Sequence, residues 1–145
     1  MKTVVICGGG RGVGKTSLAI ALVHILPGAR AIKLGVHAPR ADGKLPCLPR
    51  GTAFREVRER AGDCEFLIVE SGAVLDDPSC APDLVVFLPV QGGDKPGSEA
   101  RRARADLVRG QPVGSDVAAA VGARLGLDVR ALAAMLAAIG TPVLD

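Results

Sequence analysis

Gly9-Gly10-Arg11-Gly12-Val13-Gly14-Lys15-Thr16 obeys the spacing G-x-x-x-x-G-K-[ST]. That spacing suits an anion: glycines let successive backbone N–H groups turn inward around phosphate oxygens, the lysine charge meets the β- and γ-phosphates, and the hydroxyl is placed to ligate Mg2+. On this reading Gly9, Gly10, Arg11, Gly12, Val13, Gly14, Lys15, Thr16 and the following Ser17 bind a nucleoside triphosphate. Lys15 is also a catalytic candidate, and Thr16 a metal ligand. Arg11 either touches a phosphate or points to solvent.

Phosphoryl chemistry also needs a carboxylate near the metal. Glu70 follows the apolar run Phe66-Leu67-Ile68-Val69 and stands where a second metal-site carboxylate is expected, with Glu in place of the commoner Asp. A strand-terminal carboxylate facing solvent is the competing reading. Strand ends in a parallel sheet open into the crevice that holds the ligand, which favours a catalytic and metal-binding Glu70. Asp42, in a Gly/Pro-rich stretch, is a further candidate for the metal, although Asp42-Gly43 is also an ordinary turn pair. Base recognition is weakly written. The nearest text to the guanine-reading N-K-x-D is Ala103-Arg104-Ala105-Asp106, and Asp106 reads more simply as an exposed Asp paired with a neighbouring Arg.

The elements that must position these residues follow from periodicity. Thr3–Cys7 is a continuous apolar run of the kind buried on both faces of a parallel sheet. Thr16–Leu26 sets Leu18, Leu22, Ile25 and Leu26 on one helical stripe, ended by Pro27-Gly28. Further strands are expected at Arg30–Gly35, Phe66–Val69, Leu84–Leu88 and, as a short edge, Leu107-Val108. Helices are expected at Thr52–Ala61, Ser98–Ala105, Asp116–Leu125 and Asp128–Ile139, and a long loop with little regular structure over Val36–Gly51. Strands alternating with helices predict an α/β fold, doubly wound around a mainly parallel sheet in three layers, as one nucleotide-binding domain over residues 1–145.

Composition narrows the functional classes. The chain has 145 residues, 48% hydrophobic, with three Phe and neither Tyr nor Trp, so stacking platforms for single-stranded nucleic acid are scarce. A net charge of +3, with arginines interleaved among acids, gives little support to duplex binding; the arginine runs Arg50–Arg60 and Arg101–Arg109 read as solvated faces. No partner nucleic acid is expected. The apolar stretches fall short of the roughly 18 residues of a membrane span, and no secretory leader is written at the start, so a cytoplasmic protein is expected. Cys7, Cys47, Cys64 and Cys80 lack C-x-x-C spacing and read as reduced thiols, with convergence of Cys47, Cys64 and His37 on a metal as the minor alternative.

With these residues in view, the chain resembles the molybdopterin-guanine dinucleotide biosynthesis protein B (MobB) family, in the branch of P-loop NTPases that also holds dethiobiotin synthetase and nickel-metallochaperone GTPases. The likeness rests on the early phosphate loop, on Ile32-Lys33 followed by His37, Asp42, Gly43 and Lys44, and on the apolar strand ending in Glu70. Leu34 follows the lysine, and Ser71 intervenes between Glu70 and Gly72, where the family pattern differs. The resemblance implies a small GTP-binding, weakly hydrolysing accessory protein, dimeric, that assists a molybdenum cofactor nucleotidyltransferase or a molybdoenzyme. It also implies that Lys33, His37 and Lys44 hold an anionic pterin phosphate or the γ-phosphate, against plain loop solvation. An ATP-dependent kinase or ligase of the dethiobiotin synthetase type and a non-hydrolysing nucleotide-binding adaptor are the alternatives.

Overall fold

A computed structural model describes residues 1–35, 45–109 and 115–127. Six strands form one sheet, all neighbours parallel: β1 (Lys2–Gly8), β2 (Ala29–Gly35), β3 (Cys47–Pro49), β4 (Phe66–Glu70), β5 (Leu84–Leu88) and β6 (Leu107–Val108), in the order β3-β2-β4-β1-β5-β6. Helices α1 (Lys15–Ile25), α2 (Phe54–Ala61), α3 (Glu99–Ala103) and α4 (Ser115–Arg124) join them. The chain leaves β1 toward β2 and the β3 edge, then returns to insert β4 directly beside β1 before continuing to β5 on its other flank.

Alternation along the buried strands divides the core in two. Val4, Ile6, Ile68 and Val86 face α1 and α4, packing on Leu18, Leu22, Ile25, Val117 and Val121. Val5, Cys7, Leu67, Val69 and Phe87 face the other way, onto Phe54, Val57 and Ala61 of α2 and onto Val74 and Leu75 of a short 3-10 turn, Ala73–Asp76. Both faces of the sheet are thus covered, as an all-parallel sheet requires. With no Trp or Tyr available, β-branched residues and leucines fill this core.

Every strand read from the sequence is present, and one more. The stretch expected as an irregular loop over Val36–Gly51 contains β3, hydrogen-bonded to β2 through Lys33 N–H to the Pro46 carbonyl and Arg50 N–H to the Gly35 carbonyl. Three residues hemmed by Pro46 and ending in Pro49 carry no strand signal of their own; pairing with β2 at a sheet edge, where prolines are tolerated, creates the strand. Helix α2 starts two residues later than expected, and its first N–H, from Phe54, is accepted by the Asp77 carboxylate 2.8 Å away. The helix expected at Asp128–Ile139 lies outside the described residues. No helix among the described residues is long and apolar enough to cross a membrane.

The four thiols are free; Cys7 and Cys80 are buried, Cys47 and Cys64 partly exposed. Burial pushes the Cys7 thiol from 9.0 up to about 11, against the opposing pull of Arg101, Lys15 and Arg104. The unfolded chain ionises this thiol first, so the stability it contributes is whole below pH 9 and is lost as pH rises through 11, at up to about 1.4 kcal/mol per pH unit. Two results are expected. A thiol reagent should label Cys47 and Cys64 in the native protein at pH 8 and reach Cys7 and Cys80 only on unfolding, read by mass spectrometry. Urea midpoints should fall between pH 9 and 11 more steeply for the parent than for Cys7→Ala.

Candidate functional site: the crevice at the carboxyl end of β1

At the carboxyl end of β1 the chain turns through Gly9–Gly14 directly into α1. Gly14 closes the loop with φ +95°, a conformation that L side chains rarely adopt, and as the residue before α1 it brings no side chain to cap the helix. The first N–H groups of a helix have no carbonyl four residues back, and no acidic side chain occupies the first turn of α1. The result is a helix N-terminus whose dipole favours an anion.

The loop is tied to its neighbours. Gly9 N–H donates to the Leu88 carbonyl at 3.0 Å, and the Gly9 carbonyl accepts from Lys95 N–H at 2.8 Å. Asp94 accepts from Val90 N–H at 2.8 Å and pairs with Arg102 at 3.1 Å, and its carboxylate lies so close to Gly9 that a Cβ there would overlap Oδ1. The segment after β5 therefore acts as a wall for the glycine loop, a role nothing in the spacing of Asp94 signals. Lys15 folds across the loop, its Nζ donating to the Gly10 carbonyl at 2.7 Å. Arg11 and Gly12 are exposed, Val13 is buried in the core beneath, and Ser17 is buried in α1.

Glu70 occupies the last position of β4 rather than the residue after it. Registers Ile6↔Glu70 and Lys33↔Glu70 set the three residues in one row across β1, β4 and β2. Phe66 and Ile68 face α1, and two-residue alternation turns Glu70 to that side as well. Its carboxylate, 2% exposed, meets the Thr16 hydroxyl, which lies 2.9 Å from both Oε1 and Oε2 and donates to them. Lys33 Nζ stands 3.3 Å from Oε1. A buried carboxylate needs such a donor and cation, because desolvation of an unpaired charge is costly. The sequence reading brought Lys33 to the region as an anion holder; the structure gives it Glu70 as a partner.

The donor set fits a small hard cation. Thr16 Oγ1 and the Glu70 carboxylate bring oxygen donors together within 2.9 Å, and oxygen is the ligand type that Mg2+ takes. Among the described residues no three His, Cys, Asp or Glu side chains gather into a metal cage, so Thr16 and Glu70 would share the ion with phosphate oxygens and water, the mode Mg2+ prefers. Bound there, Mg2+ would neutralise charge on the β- and γ-phosphates.

Other candidates separate. Asp42, His37, Gly43 and Lys44 lie outside the described residues. Asp106 stands at the opposite, amino end of the sheet, where its carboxylate accepts from Val85 N–H at 2.8 Å and pairs with Arg124 at 3.3 Å; it serves the start of β5 and β6 and not a base. Cys47 lies beside Lys33 at the carboxyl end, whereas the Cys64 sulfur is 3.6 Å from that of Met1 at the amino end, so the two thiols do not converge. The arginines of α3 are not one solvated face. Arg102 lies over the Phe87 ring, 5.9 Å from its centroid, and Arg101 rests on Gly72, just beyond Glu70. Compared with family models, with curated proteins and with solved structures, the chain matches none.

Proposed function

We propose that this protein is a P-loop nucleotide-binding protein that binds a Mg2+–nucleoside triphosphate, GTP by its MobB resemblance, and hydrolyses it slowly. The observation that carries the reading is the buried Glu70 carboxylate held by Thr16 and by the partly exposed Lys33 at the mouth of a glycine loop. A hydroxyl and a carboxylate from residues 54 apart in the chain meet in a hydrogen bond, two oxygen donors of the kind Mg2+ takes, beside a loop and helix start suited to phosphates. Lys15 would stretch from the Gly10 carbonyl to the β- and γ-phosphates, a short swing of a flexible side chain.

Slow turnover follows from the carboxylates. Glu70 is engaged by Thr16 and Lys33, and Asp94 by Val90 N–H and Arg102, so neither is poised as a base for water. A protein of this kind acts by its nucleotide state. The MobB resemblance supports an accessory role, as a homodimer, in maturation of the molybdenum cofactor beside a nucleotidyltransferase or a molybdoenzyme.

The test is equilibrium binding of GTP and of ATP, each with Mg2+, measured side by side. Tighter binding of GTP is expected. Equal affinities or a preference for ATP remove the guanine part of the proposal, and no binding of either removes the whole of it.

A further inference from the structure

Helix α3 and the residue that caps its end carry three arginines within four residues, Arg101, Arg102 and Arg104, and the structure treats them differently. Arg102 is paired with Asp94 at 3.1 Å, and Arg104 lies 3.8 Å from Asp76. Arg101, partly buried, has neither a hydrogen bond nor an ion pair from its guanidinium among the described residues. A cation withdrawn from water without an anion is disfavoured, unless a ligand brings the anion.

Its placement says where that anion would lie. The Arg101 side chain is laid against Gly72, so that a Cβ on Gly72 would come within 2.6 Å of Cδ and 2.8 Å of Nε and push the side chain aside. Gly72 follows Glu70 by two residues, just after Ser71 N–H donates to the Ile6 carbonyl at the end of the β1 ladder. Arg101 also acts, with Lys15 and Arg104, on the buried Cys7 thiol, and Cys7 immediately precedes the glycine-rich run after β1. One turn before Arg101, Ser98 keeps its hydroxyl buried without a partner among the described residues, so this turn of α3 holds two polar groups short of partners.

We propose that Arg101 is a specificity residue of the phosphate site, reaching from α3 past Gly72 to bind the terminal phosphate of a bound triphosphate. The inference rests on the triphosphate reading above and adds to it a group that distinguishes triphosphate from diphosphate. Arginine suits the task, since its fork matches two phosphate oxygens at once. The pairing of Arg102 with Asp94 and of Arg104 with Asp76 anchors the helix while leaving Arg101 to the ligand.

The experiment measures the Kd of a non-hydrolysable GTP analogue and of GDP, both with Mg2+, for the parent, Arg101→Ala, Arg101→Lys and Lys15→Ala, with melting temperatures as a folding control. Arg101→Ala is expected to weaken the triphosphate analogue on the order of tenfold or more while GDP changes less than twofold, with Arg101→Lys recovering part of the loss. Loss of affinity for both nucleotides alike, or for neither, overturns the assignment of Arg101. Binding that depends on Lys15 but not on Arg101 sinks this inference alone, whereas binding indifferent to Lys15 sinks the phosphate-loop reading and this inference with it.

Discussion

Lys15→Ala should weaken triphosphate binding by about 100-fold or more and leave the fold standing. The Nζ hydrogen bond to the Gly10 carbonyl shows that the side chain already spans the loop, so moving it to a phosphate takes little rearrangement. A charge-assisted hydrogen bond is worth roughly 1.5–3 kcal/mol, and a lysine that meets both β- and γ-phosphates makes more than one, which corresponds to about two decades of affinity. The stability cost is smaller, since a single net hydrogen bond to a carbonyl contributes about 1 kcal/mol, a few degrees in melting temperature for a chain of this size. Calorimetric titration beside a thermal melt separates the two effects. Triphosphate affinity equal to the parent's in a folded Lys15→Ala protein removes the phosphate-loop reading.

Glu70→Gln is expected to act on hydrolysis and metal dependence more than on nucleotide affinity. The amide keeps the shape of the side chain and one oxygen to accept from Thr16, but it discards the negative charge that Lys33 now balances and that a divalent ion would use. Electrostatic groups of this sort are worth roughly 10²–10³ in rate when removed. Turnover should therefore fall about 100-fold, and the Mg2+ concentration giving half-maximal binding should rise, while the Kd for nucleotide at saturating Mg2+ stays within a few-fold of the parent. Lys33, 27% exposed, can turn to water once Glu70 is neutral, so the variant should remain folded. Unchanged turnover and unchanged Mg2+ dependence make Glu70 a structural residue whose charge serves only Lys33.

Both predictions concern residues that could be picked out before any fold was known, yet for different reasons. Lys15 is legible because everything it needs is local: an apolar run, a glycine turn and an amphipathic helix lie within one short stretch of chain. Glu70 could be placed at a strand end but not beside Thr16. Its carboxylate belongs to the site only because β4 inserts between β2 and β1, and that order is a matter of crossovers and long-range packing which an apolar run of four residues does not encode. Asp106 illustrates the converse. Its sequence context read as an exposed Asp paired with a neighbouring Arg more simply than as a base contact, and it does pair with an Arg, but with Arg124, 18 residues away, at the amino end of the sheet.

Residue types and their period, taken alone, determined the local elements: buried strands from continuous Val, Ile and Leu, helices from stripes, and the turn into α1 from glycines that local backbone geometry demands. The tertiary structure alone decided which elements are neighbours. It made a strand of Cys47–Pro49, gave Lys33 to Glu70, set Asp94 as a wall against Gly9, and separated Arg101 from the paired arginines beside it. Most of those outcomes depend on contacts between residues far apart in the chain, such as Lys33 with Glu70 and Asp94 with Gly9. Local propensity and hydrophobic period act within a few residues, and the energy that orders the strands comes from burying whole faces against one another.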